Sequence, residues 1–174
     1  MHSRIFVLRQ VRDDIKLPSM ENRTCVTEDE LYDSFSYYCD YVSIQEISSW
    51  HEDVQWLCHC DDMFDMYKDN DDNTIITLDV QKANKRLKKV YDLVLEKVSN
   101  LSFASFKNPW SADVYLIKQL LKTTTGFWII VIDDNGHWSL DNVDDFCRTY
   151  IRDAETNHKD IYSFRLEDVF DYHF

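Results

Sequence analysis

Phe127-Trp128-Ile129-Ile130-Val131-Ile132, followed by Asp133-Asp134-Asn135-Gly136, is the stretch whose reading decides the fold. A short apolar run closed by an Asn-Gly signal reads as a strand entering a hairpin, with His137-Trp138 folding back. Just beyond it, Asp141, Asp144 and Asp145 suit the first turn of a helix whose buried side is Val143, Phe146, Cys147, Tyr150 and Ile151. A last short strand, Ile161 to Leu166, leads into a C-terminal aromatic cluster.

Toward the N-terminus, Ser111 caps a helix running to about Lys122, with Val114, Ile117, Leu120 and Leu121 inward. Asp79 can cap a long helix over 80–98 with Leu87, Val90, Tyr91, Val94 and Val98 buried, and the β-branched Thr74–Leu78 before it is a strand. The acidic stretch Asp61–Asp72 is expected to be helical before it breaks at Asn70-Asp71-Asp72-Asn73. Two capping boxes, Thr27/Glu30 and Ser43/Glu46, predict two further helices. Their apolar stripes are Leu31, Phe35, Tyr38, Val42 and Ile44, Ile47, Trp50, Val54, Leu57. Arg4–Gln10 is a first strand. The expectation is α+β: a helix-dominated single domain over 1–174, with a small mixed or antiparallel sheet of about four short strands.

Composition excludes several functions. Only two glycines, Gly126 and Gly136, are present, so neither a P-loop nor a dinucleotide fingerprint can be built. The six-residue run at 127–132 is the longest strictly apolar one, far short of the roughly 20 residues needed to span a bilayer. Arg4, Arg9 and Arg12 interrupt the only apolar N-terminal segment, which argues against a signal peptide. Cys25, Cys39, Cys58, Cys60 and Cys147 are odd in number and lack framework spacing, which fits a reducing compartment. A cytoplasmic protein is expected.

Charge carries the functional expectation. The chain has a net charge of −13, and Asp outnumbers Glu 24 to 8. The charge is segregated: +2 over 1–27, −14 over 28–79, +6 over 80–122 and −7 over 123–174. Such a chain repels nucleic acid and attracts basic protein surfaces. If 61–72 is helical, Asp62, Asp65, Asp69 and Asp72 lie on one face, a carboxylate about every 5 Å, a pitch comparable with DNA phosphates. With Asp61 and Asp71, and with Asp29, Asp33, Asp40, Glu46, Glu52 and Asp53 from neighbouring helices, they form the expected partner-binding surface. Trp56 lies off its helix's apolar stripe and is the expected interface anchor. The cluster Lys82, Lys85, Arg86, Lys88 and Lys89 is expected to pair with acidic blocks, within the molecule or across a possible homodimer.

Other chemistry is weakly encoded. His51-Glu52-Asp53 through Cys58-His59-Cys60 contains zinc-type ligands, but not at a finger spacing. Asp79-Val80-Gln81-Lys82 is one residue too long for the D/E-x-K pattern of Mg²⁺ nucleases. No catalytic residue, metal or cofactor is expected. In general character (small, Asp-rich, aromatic-rich, without a catalytic signature) the chain resembles the DNA-mimicking inhibitors that phages and mobile elements direct at defence nucleases, the antirestriction and anti-CRISPR proteins. That resemblance is one of composition and covers no particular motif. It implies an inhibitor that occupies the basic nucleic-acid channel of a CRISPR effector or restriction enzyme. An immunity or antitoxin protein neutralising a basic toxin is the alternative, and a metal-dependent enzyme using the His51–Cys60 region a second.

Overall fold

The computed structural model describes residues 2–12, 17–19, 26–35, 40–60, 62–121 and 127–173. Its axis is the thirteen-residue strand β7 (Ile161–His173). Strand β1 (His2–Gln10) runs antiparallel beside it from His2↔His173 to Gln10↔Phe164. On the other edge of β7 two strands add one after the other. Strand β4 (Thr74–Asp79) pairs with residues 161–165, and β2 (Tyr41–Ile44) pairs with 170–173. Strand β3 (Phe64–Lys68) extends the sheet beyond β4. On the far side, β5 (Trp128–Ile132) lies parallel to β1 and forms a hairpin with β6 (Trp138–Asn142).

This corrects the expected small sheet of about four short strands: the described residues form one mixed sheet of seven. Strands β2 and β3 lie where helix is expected, and β7 runs longer than expected. Residues 161–166 were expected to form a short strand, but β7 runs on through a bulge. Val7 pairs with Asp168 and Leu8 with Leu166, which leaves Glu167 as the extra residue. A bulge resets the two-residue alternation. Phe164 and Leu166 therefore join one core, whereas Phe170 and Tyr172 join the other.

The helix expected through Val42 ends earlier, as α1 (Glu28–Phe35), and Val42 lies in β2. The Ser43/Glu46 capping box does not form, because Ser43 is paired with Asp171. Residues 64–68 are strand β3 rather than helix: Phe64 is buried and Met66 half-buried, whereas Asp65 and Tyr67 are exposed, the alternation of a half-buried strand. This removes the predicted helical row of Asp62, Asp65, Asp69 and Asp72.

Helices cover both faces. On one, α2 (Trp50–Cys60), the start of α3 (Val80–Ser99) and α6 (Val143–Asn157) pack over Phe6, Leu8, Ile76, Leu78 and Phe164. On the other, α1 places Leu31 against Ile5, Val7, Ile130 and Phe170. The predicted caps form where their geometry permits. Thr27 Oγ accepts from the Glu30 amide at 3.2 Å while Glu30 accepts from the Thr27 amide at 2.8 Å, and Asp79 accepts from the Lys82 amide at 3.0 Å. The expected turn forms too: Gly136 has φ 83, and Asp133 Oδ1 accepts from the amides of Asn135 and His137.

Beyond its first turns α3 leaves the sheet and packs with α5 (Ala112–Leu121), which follows the short α4 (Phe103–Lys107). Only Val80 and Ala83 of α3 are buried. Of its expected buried face, Leu87, Val90 and Val94 are half-buried, whereas Tyr91 and Val98 are exposed. Among the described residues no helix is long and apolar enough to cross a membrane.

Candidate functional site

Because β4 and β2 share one edge of β7, the start of β4 and the end of β2 meet beside residues 166–169, at the bulge. Loops from three parts of the acidic segment converge there. The Gln45 amide bonds to Val169 O at 2.8 Å, and the Ile44 amide donates to Glu28 Oε1, which ties the start of α1 to the end of β2. Trp50 Nε1 donates to Gln45 O at 3.2 Å and so seats α2 beside the same edge. Ile47, Trp50, His51, Lys68 and Asp71–Thr74 then line a groove of about 240 Å³ with Leu166 at its floor.

Asp69 shapes the rim of that groove. Its carboxylate accepts from the amides of Asp71 (2.9 Å) and Asn73 (2.8 Å) and from Asn73 Nδ2 (2.9 Å), which closes the β3–β4 turn. Partial burial raises its pKa, but these donors, led by Asn73, outweigh burial and hold it below the usual carboxylate range. Asp72 takes φ 62, a left-handed conformation that aspartate tolerates.

Beneath the junction lies a buried charge cluster. Glu167 Oε1 accepts from Arg9 Nε at 3.2 Å and from Arg165 Nε and Nη2 at 3.0 and 2.7 Å. Arg165 also reaches Pro18 O at 2.6 Å, and Arg9 reaches Asp133 O at 3.0 Å. The bulge places Glu167 and Asp168 on one side of the strand, together with these two guanidiniums.

The predicted partner-binding residues divide into groups. Asp29, Glu46, Glu52, Asp62 and Asp71 are exposed, and none has a cation within ion-pair distance among the described residues. Asp33 is exposed on α1. Asp40 lies 3.1 Å from His173 Nδ1, Asp65 3.8 Å from Lys82 Nζ, and Asp72 3.7 Å from Lys68 Nζ. Asp61 lies outside the described residues.

Asp53 does not belong to the surface. It is buried and holds Arg4 Nε at 2.8 Å, and Arg4 also bonds to Asp171. Its position was readable: Asp53 is three residues after Trp50 and four before Leu57, on the apolar stripe itself. Trp56 is half-exposed, with its other side edge-on to Phe127 at 5.1 Å.

The basic face of α3 pairs mainly within the molecule. Lys82 Nζ also donates to Asp62 O at 3.1 Å, Arg86 lies 3.5 Å from Asp144, and Lys88 bonds to Asp92. A 440 Å³ cleft remains between Asp62 and Lys82, Lys85, Arg86 and Lys89. A further cleft, of about 610 Å³, has no counterpart in the sequence reading. It lies between α6 and the strand ends, with Arg12 and Lys159 beside Asp153, whose carboxylate accepts from Tyr162. That bond comes from groups nine residues apart, with no motif to announce it.

Of the His51–Cys60 region, the side chain of Cys60 lies outside the described residues. His51 and His59 are exposed on α2, whereas the Cys58 thiol is half-buried and pushed up to about 11 by burial and then by Asp65. Among the described residues no three His, Cys, Asp or Glu side chains gather as a metal site.

The chain matches no family model, no curated protein and no solved structure. At the junction, backbone amides hold the carboxylates of Glu28 and Asp69 in place.

Proposed function

We propose that this protein is an acidic inhibitor that covers the basic nucleic-acid-binding surface of another protein. A defence nuclease, either a CRISPR effector or a restriction enzyme, is the partner class placed first. One observation carries the reading: among the described residues Asp29, Glu46, Glu52 and Asp71 stay exposed with no cation within ion-pair distance, on elements tied to the sheet. The field of such carboxylates speeds encounter with a basic cleft. The mechanism differs from a phosphate ladder on one helix. Charge is presented as a rim, from the start of α1 through the 45–53 segment to the β3–β4 turn.

The test is capture on nucleic-acid enzymes at low salt, including guide-loaded effectors and restriction complexes, with target DNA as competitor. The chain is expected to bind one of them, inhibit it and be displaced by DNA. Neutralising Asp29, Glu46, Glu52 and Asp71 to Asn or Gln removes four rim charges at about 0.2–1 kcal/mol each and should weaken binding by about fourfold to several hundredfold. Asp69 is left intact because it closes the turn. Binding indifferent to both DNA and these substitutions would overturn the reading.

A further inference from the structure

The helical limb formed by the second half of α3 with α4 and α5 carries apolar side chains that are exposed among the described residues. On α3, the half-buried stripe Leu87, Val90 and Val94, continued past its end by Leu101, lies beside a second stripe, Tyr91, Leu95 and Val98, that is open to solvent. From α4 to α5, Phe103, Phe106, Trp110, Tyr115 and Leu116 are open as well. The segment is internally ordered: Ser102 caps α4, Ser111 Oγ donates to Ser105 O at 3.0 Å, and α5 packs on both α3 and α4.

We propose that this limb is the surface through which two copies of the chain associate. Area is the first argument. Exposures of 55% at Tyr91, 74% at Phe103, 66% at Phe106, 89% at Trp110 and 60% at Tyr115 leave most of five aromatic rings uncovered. An aromatic side chain buries about 150–250 Å², so these five alone offer on the order of 700 Å². A standard interface takes about 800 Å² from each partner, and Leu95, Val98 and Leu116 supply the difference.

Charge is the second argument. Residues 91–121 carry Lys97, Lys107 and Lys118 against Asp92, Glu96 and Asp113, a balance of zero in a chain of −13. Elsewhere two copies meet with net repulsion; here they do not. A neutral face gains nothing from anionic lipid, nucleic acid or a strongly charged protein. A second copy brings the same neutral, aromatic-rich surface, the composition typical of homodimer interfaces.

Sedimentation or light scattering of the full chain across the micromolar range tests this. The expected mass is twice 20.9 kDa, unchanged at high salt. Phe106→Ser with Trp110→Ser should return the chain to 20.9 kDa with its circular dichroism intact, since both side chains are exposed within one copy. Leu95→Glu, which brings like charges together across the contact, should do the same from α3. A monomeric wild-type chain, a dimer that survives these substitutions, a dimer dissolved by high salt, or a monomer retained on anionic vesicles would each overturn the proposal. These variants remove no rim carboxylate, so failure here is distinguishable from failure of the inhibitor reading.

Discussion

Glu167 holds the bulge of β7 together by engaging two guanidiniums at once. Its side chain is fully buried, and those of Arg9 and Arg165 are nearly so. Replacing one member of a buried ion pair leaves an uncompensated charge, at a cost of about 3–5 kcal/mol. Glu167→Gln should therefore lower the urea unfolding free energy by about that amount, and a loss below about 1 kcal/mol would show that the arginines find another counter-charge. Cys58 makes a second residue-level prediction. With its thiol at about 11, only about 0.1% is thiolate at pH 8. Iodoacetamide followed by peptide mass mapping should find Cys58 modified far more slowly in the folded protein than in urea. The first environment was not legible in the chain: a bulge has no compositional signature, so Leu166-Glu167-Asp168-Val169 resembles the end of a strand. The second was, because Cys58 follows Leu57 at the edge of the apolar stripe of α2 and packs against the core there.

The caps were legible at the scale of elements because they are local: Thr27 with Glu30, Asp79 with Lys82 and the Asn135-Gly136 turn each close within four residues. The β3–β4 hairpin was not, because its carboxylates happen to follow a helical period while Phe64 and Met66 follow a strand period. Burial of Phe64 decided between them. Asp69 makes the hairpin testable. Its folded pKa is depressed, so it binds fewer protons folded than unfolded near pH 3–4. Its contribution is then present above the ordinary aspartate value, about 3.9, and is lost as pH falls through the lower folded value. Asp69→Ala should speed hydrogen exchange at the Asp71 and Asn73 amides at neutral pH. It should also flatten the fall in hairpin protection on acidification. An unchanged acid limb would mean that the turn does not depend on this carboxylate.

Across the whole molecule, the fold and the proposed partner binding should respond to salt with opposite signs. The chain carries −13, and the pairs joining its blocks, such as Lys82 with Asp65, are exposed and contribute little. The pairs that hold elements together, Arg9 and Arg165 on Glu167 and Arg4 on Asp53, lie inside the protein, where salt screens them weakly. What salt chiefly removes is repulsion among surface carboxylates, and that repulsion disfavours the compact state. Thermal unfolding of the free chain should therefore move to higher temperature as sodium chloride rises from low to moderate concentration. Potassium chloride should act alike, because screening depends on ionic strength and not on the cation. Binding to a basic partner should weaken over the same range, since the same carboxylates then supply attraction. Association through the neutral helical limb should change little. If the melting temperature fell with salt instead, exposed ion pairs would be contributing more than the repulsion they relieve, and the carboxylate rim would be part of what stabilises the fold and not a surface held ready for a partner.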